Sequence, residues 1–147
     1  MARPISTSIR AAVIVGMITA IQAQEPAAFI VNSGSTNRAG FRIMVQKSGD
    51  AEFSAVPRGP KSAAEQPIRR KLSESLSRRL YSDIAKAKPL AGLPHQNCLK
   101  SVSFGTRLTI EYSGETTPDL SCPQDQDSRV KALRQDADEI LKLFPAN

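Results

Sequence analysis

The chain is poor in the residues that most often bind transition metals. It contains one histidine, two cysteines and no tryptophan among its 147 residues. His95, Cys98 and Cys122 do not match the spacing of a zinc site, in which ligands occur as closely spaced pairs. The segment from Asp125 to Asp127 lacks the glycine and the distal glutamate of a calcium-binding loop. The sequence therefore predicts no metal site.

Motifs of common enzyme classes are also missing. The chain has no Walker phosphate-binding pattern, no Gly-x-Gly-x-x-Gly dinucleotide pattern and no Gly-x-Ser-x-Gly nucleophile elbow. These absences exclude the best-defined nucleotide-binding and hydrolase families. We therefore predict no cofactor and no catalytic residues, and we favour a protein that is not an enzyme.

A few polar residues leave an enzymatic alternative open. His95 precedes Cys98 by three residues, and a Cys–His pair can act as nucleophile and base. An oxidised Cys98 cannot attack a substrate, so a hydrolase-like site would draw on His95, Asp119 and the polar loop Ser33–Asn37. Backbone N–H groups of the overlapping segment Asn32–Thr36 can also cradle an anion. The loop precedes a strand rather than a helix, which favours an ordinary connection.

The one long apolar run lies near the N-terminus. Arg3 and Arg10 precede the run Ala11–Ile21, and Ala23 offers a small residue for cleavage. This arrangement is typical of a secretory signal peptide, and the run is too short for a stable membrane anchor. We predict a signal peptide over residues 1–23, a secreted or periplasmic protein, and no transmembrane anchor after cleavage. Removal of the two arginines lowers the formal net charge of +6 by two.

Residues 24–147 are predicted to form a single domain. Aromatic residues make up only 5% of the chain, so a modest core is expected. Cys98 and Cys122 are expected to form a disulfide bond in an oxidising compartment, worth about 3 kcal/mol in the chain-entropy model. Two free buried cysteines are the alternative.

Alternating apolar and polar residues predict the strands. Phe41–Gln46 and Ala51–Val56 form the clearest hairpin, with Gly49 in its turn, and Ala28–Val31 is a short buried strand. The residues from Val102 to Tyr112 alternate as well and lead into a tight Ser-Gly turn.

The predicted disulfide restricts the strand that ends at Tyr112. A straight strand from Cys98 to Tyr112 would span roughly 46 Å and keep the two sulfur atoms apart. The chain must therefore bend, and Gly105 is the expected place. A return strand over Thr116–Leu120 is expected to be short or at an edge, because Pro118 cannot donate a hydrogen bond.

Two amphipathic helices are predicted beside the sheet. The first runs from Ala63 or Pro67 to Ala87, with apolar residues every four positions from Ile68. The second follows Asp127 and ends before Pro145. The predicted fold class is α+β: an antiparallel sheet of four or five strands, two amphipathic helices packed on one face, and one disulfide bond.

Three segments carry a resemblance to known proteins. They are FRIMVQKSGDAEF (41–53), SFGTRLTIEYSGETTPDLSC (103–122) and the closing helix. In this layout the chain resembles small secreted bacterial domains of unknown function. The resemblance covers most of residues 24–147 and implies a fold, with no activity or site to transfer.

Basic residues in the first predicted helix are the strongest candidate site. Five cations lie off its apolar stripe: Arg69, Arg70, Lys71, Arg78 and Arg79. Such a face can bind an anionic surface or an acidic protein. Nucleic acid is disfavoured, because no aromatic residues are interleaved with the cations to stack on bases. A solvated helix face without a partner is the alternative.

The sequence therefore favours one function over two alternatives. We predict a secreted or periplasmic, non-enzymatic binding or accessory module that uses the basic helix face. The alternatives are a hydrolase-like enzyme with an unrecognised polar site and a structural envelope protein.

Overall fold

A computed structural model describes residues 25–57, 66–95, 97–122 and 127–144. The predicted signal peptide, residues 1–23, lies outside these described residues. The described elements are β1 (Ala28–Asn32), β2 (Phe41–Val45), β3 (Asp50–Ala55), β4 (Ile68–Lys71), α1 (Glu74–Ala87), a 3-10 turn (Leu90–Gly92), β5 (Leu108–Tyr112), β6 (Glu115–Thr116) and α2 (Ser128–Leu141). The predicted α+β class is confirmed.

The sheet contains six strands, in the order β4-β3-β2-β1-β5-β6. Every neighbouring pair is antiparallel. The expected number of four or five strands was therefore too low. The additional strand is β4, which comes from a segment that the sequence assigned to the first helix.

The β4 segment is extended because it pairs with β3, and cross-strand charges support this pairing. Arg69 lies opposite Glu52, and Lys71 lies opposite Asp50, on the neighbouring strand β3. Opposite charges that face each other across antiparallel strands stabilise the pairing. The four-residue spacing that linked Ile68 to the helical stripe therefore does not reflect a helix there.

The first helix begins seven residues later than Pro67, at Glu74. The hydroxyl of Ser73 accepts a hydrogen bond from the backbone N–H of Leu76 at 3.2 Å and so caps the helix. A serine in this position satisfies one of the N–H groups that a helix start leaves without a partner. The local cap, together with the pairing of β4, sets the boundary.

The buried residues of the sheet all lie on one face. Ile30 of β1 pairs with Ile43 of β2 on one side and with Ile110 of β5 on the other. All three are fully buried and belong to one core with Leu80 of α1 and Leu133 of α2. Because one sheet face supplies the strand residues of this core, both helices pack on that face, as predicted.

The opposite face of the sheet remains partly exposed. Arg42 lies 3.9 Å from the centre of the Phe29 ring and pairs with Glu111 at 3.0 Å. Met44, opposite Phe29, is half-buried on the same face.

The strand predicted from Val102 begins only at Leu108. Residues 102–104 form a turn instead, and the N–H of Gly105 donates to the carbonyl of Ser101 at 2.7 Å. A Cβ atom at Gly105 would lie only 2.5 Å from that carbonyl oxygen. The bend expected at Gly105 is thus present, but the six residues 102–107, which were predicted to be in the strand, lie outside the sheet.

The return strand β6 is only two residues long because Pro118 cannot continue the ladder. The hydroxyl of Thr117 accepts from the Ile110 N–H at 3.0 Å, and the carboxylate of Asp119 accepts from the Leu108 N–H at 3.1 Å. Side chains thereby replace the backbone acceptors that a longer strand would supply to β5.

An ion cluster joins the two helices. Arg79 of α1 donates to Asp136 of α2 at 2.6 Å and also to Glu139. The Asp136 side chain is 1% exposed, and its second carboxylate oxygen has no partner among the described residues. Burial raises the pKa of Asp136 despite Arg79, whereas hydrogen bonds from Arg79 and Gln135 lower the pKa of Glu139.

We predict that Arg79→Met lowers the free energy of unfolding by about 1–3 kcal/mol at pH 7, because it leaves the buried Asp136 charge without its partner. The matched control is Arg78→Met, which removes a pair with Glu74, a side chain that is 86% exposed. That control should change stability by less than about 0.5 kcal/mol.

The loss in the Arg79 variant should shrink as the pH falls from 7 towards 4. Burial disfavours the charged form of Asp136 and so raises its pKa. Protonation at lower pH removes the free-energy cost of the buried, unpaired charge. Urea unfolding at both pH values measures the effect. Equal losses of unfolding free energy in the Arg78 and Arg79 variants would contradict the role given to the pair of Arg79 and Asp136.

Candidate functional site

The five predicted basic residues do not share one helix face. Arg69, Arg70 and Lys71 lie in the edge strand β4, and only Arg78 and Arg79 lie in α1. The prediction of a basic helix face is therefore wrong in its geometry. The five residues form two separate groups on different elements.

Carboxylates neutralise most of these cations. Arg69 pairs with Glu52 at 2.8 Å and Lys71 pairs with Asp50 at 2.9 Å. In α1, Arg78 pairs with Glu74 and Arg79 pairs with Asp136. Arg70 has no carboxylate partner among the described residues, and it donates to the Arg69 carbonyl at 3.0 Å. Of the five, Arg70 alone keeps an uncompensated charge within the described part of the chain.

The residues of the enzymatic alternative surround one open cleft. Ser33, His95 and Asp119 line it together with the disulfide bond between Cys98 and Cys122, and its volume is about 690 Å³. Within the described residues, no hydrogen bond connects His95 to a hydroxyl, a thiol or a carboxylate. The structure brings these residues to one cleft but does not arrange them as a nucleophile and its base.

Asp119 holds the loop before β5 in place instead. Its carboxylate accepts hydrogen bonds from Lys100, from the Ser121 hydroxyl at 2.6 Å and from the backbone N–H groups of Ser121 and Leu108. Lys100 also donates to the Thr106 carbonyl at 2.6 Å. Burial alone would raise the pKa of Asp119, but these hydrogen bonds outweigh it and hold the pKa below its ordinary value.

A second set of hydrogen bonds joins this loop to the polar loop after β1. Ser35 and Thr36 donate from their hydroxyls to the carbonyls of Ser103 and Val102, at 2.9 and 3.3 Å. The Asn37 N–H donates to the Ser103 carbonyl at 3.0 Å. The residues once considered as an anion cradle therefore support the neighbouring loop.

We call these joined segments, with the residues after β3, the loop end: residues 33–40, 56–57 and 97–107. They lie at one end of the sheet, since Asn32 ends β1 opposite Phe41 of β2 and Leu108 of β5. The Val56 N–H donates to the Gly40 carbonyl at 2.8 Å, which places the end of β3 there too.

Exposed apolar side chains are concentrated at the loop end. Five large apolar side chains are exposed in the described part of the chain, and four of them are in the loop end: Val56, Leu99, Val102 and Phe104. The fifth, Leu143, follows Lys142, which lines a cleft together with Arg38 of the loop end. Exposed apolar side chains that are concentrated in one region, rather than scattered over the surface, are typical of interaction sites on soluble proteins.

Cations without carboxylate partners accompany these side chains. Among the described residues, five cations have no carboxylate within salt-bridge distance: Arg38, Arg70, Arg107, Lys131 and Lys142. Arg38 and Arg107 lie in the loop end, and Lys142 is beside it. The loop end therefore combines exposed apolar side chains with positive charge that no described carboxylate compensates.

Sequence reasoning missed this surface because it assigned Val102 and Phe104 to a half-buried strand. Their exposed fractions are 87% and 61%. The available signal was the disulfide itself, which already required the chain before Leu108 to leave the sheet.

Within residues 25–57, 66–95, 97–122 and 127–144, no group of three or more histidine, cysteine, aspartate or glutamate side chains is arranged to bind a metal ion. In the same residues, no helix is long and apolar enough to cross a bilayer. No protein-family model matches the chain, and no curated protein matches it. The loop end is therefore the feature of the described residues that points most directly to a function.

We predict that Asp119→Asn lowers the free energy of unfolding by about 1–3 kcal/mol at pH 7, because the Lys100 ammonium loses its carboxylate. The lowered pKa of Asp119 stabilises the folded state above about pH 4, and this contribution is lost as the pH falls further. The difference between the variant and the wild type should therefore shrink below pH 4 in urea unfolding experiments.

The matched control for this experiment is Asp138→Asn. Asp138 pairs with Arg134 on the surface of α2, and its side chain is 42% exposed. Its replacement should change stability by less than about 0.5 kcal/mol. A pH-independent loss in the Asp119 variant would contradict the role given to its charge.

The disulfide bond between Cys98 and Cys122 closes a loop whose ends are 24 residues apart. We expect its removal in a Cys98→Ala, Cys122→Ala variant to lower the free energy of unfolding by about 3 kcal/mol. Chemical reduction of the wild type should produce a similar loss. Peptide mapping under non-reducing conditions that finds two free thiols would refute the bond.

Proposed function

We propose that the protein is a secreted or periplasmic, non-enzymatic binding module whose loop end attaches to an anionic lipid surface. One observation carries the proposal: exposed large apolar side chains of the described residues are concentrated at the loop end, beside cations that lack carboxylate partners. The predicted signal peptide and the disulfide bond support export, since disulfides persist in oxidising compartments.

The arrangement suits a membrane surface energetically. Burial of an exposed leucine, valine or phenylalanine contributes about 1.5–3 kcal/mol each. A cation near an anionic leaflet contributes about 1 kcal/mol. The loop end therefore provides two kinds of attraction: apolar burial by Leu99, Val102 and Phe104, and electrostatic attraction by Arg38 and Arg107. Stable peripheral attachment depends on such a combination.

A lipid surface fits better than a shaped protein partner. Leu99 is fully exposed and Val102 is 87% exposed, so each of these side chains projects into solvent. Fluid lipid can surround isolated projecting side chains, whereas a protein partner would need matching pockets. The disulfide bond and the contacts of Asp119 hold the projecting loop at its base, which reduces the ordering cost of attachment.

The basic residues predicted from sequence remain a second candidate for anion binding. Arg70 of β4 supports this alternative, because it has no carboxylate partner among the described residues and its strand lies at the sheet edge. Arg78 and Arg79 support it less, since each already holds a carboxylate. The experiment below separates the two candidates.

The test is co-sedimentation of the chain lacking residues 1–23 with vesicles of phosphatidylglycerol and with vesicles of phosphatidylcholine. We expect binding to phosphatidylglycerol that weakens as salt increases, and at most weak binding to phosphatidylcholine. A Leu99→Ser, Val102→Ser, Phe104→Ser variant should lose about 1,000-fold or more in affinity, since each lost burial is worth at least about 1.5 kcal/mol.

Matched variants identify the surface that binds. Arg38→Gln with Arg107→Gln should weaken binding by about tenfold or more, while Arg70→Gln with Arg78→Gln removes the same charge and should have little effect. Met44→Ser controls for loss of an apolar side chain on the open sheet face. Equal effects of the two charge variants on vesicle binding would contradict attachment through the loop end. A larger effect of the second variant would favour the basic residues of β4 and α1 as the binding surface.

A further inference from the structure

A cleft lies between the sheet and the end of α2, beside the loop end. Its volume is about 510 Å³, and its lining includes Phe41, Phe53 and Leu108 from the sheet and Leu141 and Phe144 from the last helix and the residues after it. Small-molecule sites have volumes of about 300–1,000 Å³ and mostly apolar walls. The cleft is distinct from the projecting side chains that carry the proposed function.

A row of aromatic rings forms one wall of this cleft. The Phe53 ring lies 5.4 Å from the Phe41 ring and 5.6 Å from the Phe144 ring, and both pairs are stacked. Phe53 and Phe144 are 4% and 6% exposed, so the core holds them in place. The wall is therefore a fixed apolar surface rather than a set of adaptable side chains.

The polar groups within the cleft already have partners. The Asn32 amide donates to the Thr106 hydroxyl at 3.3 Å, and its oxygen accepts from the Gly34 N–H at 2.9 Å. The Ser121 hydroxyl donates to Asp119. The interior therefore offers apolar contact and few free hydrogen-bonding groups to a ligand.

The charged residues in the lining of the cleft are mostly cations. Arg38, Arg134 and Lys142 line the cleft, and Asp138 is the one acidic residue in its lining. Arg134 is engaged by Asp138 at 2.7 Å and by the Leu120 carbonyl at 2.7 Å. Arg38 and Lys142 have no carboxylate partner among the described residues, so both cations can bind a ligand anion.

We propose that this cleft binds an amphiphile with one alkyl chain and one anionic head group. The alkyl chain lies along the wall of Phe41, Phe53 and Phe144, and the head group lies between Arg38 and Lys142. Apolar walls with cations on one side complement this class of ligand and oppose a cationic amphiphile of the same length. The proposal does not rest on attachment of the loop end to membranes.

The test is isothermal titration of the chain lacking residues 1–23 with dodecanoate below its critical micelle concentration. We expect saturable binding of one molecule. Butyrate has the same head group without the long chain, and dodecyltrimethylammonium has the long chain with the opposite charge. Both should bind at least about tenfold more weakly, which corresponds to about 1.4 kcal/mol.

Two variants assign the binding to the cleft. Ala39 lines it and is half-buried, so Ala39→Trp should fill the space and weaken dodecanoate binding at least tenfold. Lys142→Gln should weaken binding about twofold to fivefold, as expected for loss of one exposed ion pair. Lys131→Gln is its matched control: it removes an exposed cation from the first turn of α2, the helix that Lys142 directly follows, and should leave the affinity unchanged.

The outcomes distinguish this proposal from the one before it. Ala39→Trp should retain binding to phosphatidylglycerol vesicles, while the triple serine variant of the projecting loop should retain dodecanoate binding. If Ala39→Trp does not fold, the comparison of Lys142→Gln with Lys131→Gln still decides. Absence of saturable dodecanoate binding, equal binding of the cationic amphiphile, or equal effects of the two lysine variants would overturn the proposal.

Discussion

The attachment of the loop before β5 to the segment after β6 is the constraint on which the rest of the candidate site depends. The bond between Cys98 and Cys122 fixes one point, and Asp119 fixes a second by accepting hydrogen bonds from Lys100 and from the Leu108 N–H. Between these points the chain is too long to stay in the sheet, so it projects beyond the sheet end. The exposure of its apolar side chains is thus a consequence of how its two ends are held.

Much of the fold could be predicted because it follows from local periodicity. Alternation of apolar and polar residues predicts the hairpin of β2 and β3, the turn at Ser113 and Gly114 and the single buried face of the sheet. A 3.6-residue apolar period predicts the second helix. The β4 strand could not be predicted in this way. Ile68 and Leu72 are spaced like helical residues, and only the cross-strand partners Glu52 and Asp50 decide for an extended chain.

The candidate site was harder to predict than the fold, for a related physical reason. A run of cations in sequence does not reveal where the compensating carboxylates lie. Glu52, Asp136 and Glu139 are distant in sequence from Arg69 and Arg79, yet they neutralise them in the folded chain. Apart from Arg70, the uncompensated cations among the described residues are single residues outside that run, such as Arg38 and Arg107, which show no pattern in the sequence.

The edge strands of the sheet also determine how the protein behaves towards other copies of itself. An open sheet edge exposes unpaired backbone groups that can recruit another strand and begin aggregation. The β4 edge presents three consecutive cations, Arg69, Arg70 and Lys71, and the β6 edge is only two residues long. Glu52 and Asp50 neutralise two of these cations, so a second copy approaching β4 would bring together mainly the two Arg70 charges. A copy approaching β6 would find too few groups for a ladder. The charge of Arg70 and the shortness of β6 therefore both oppose extension of the sheet between molecules.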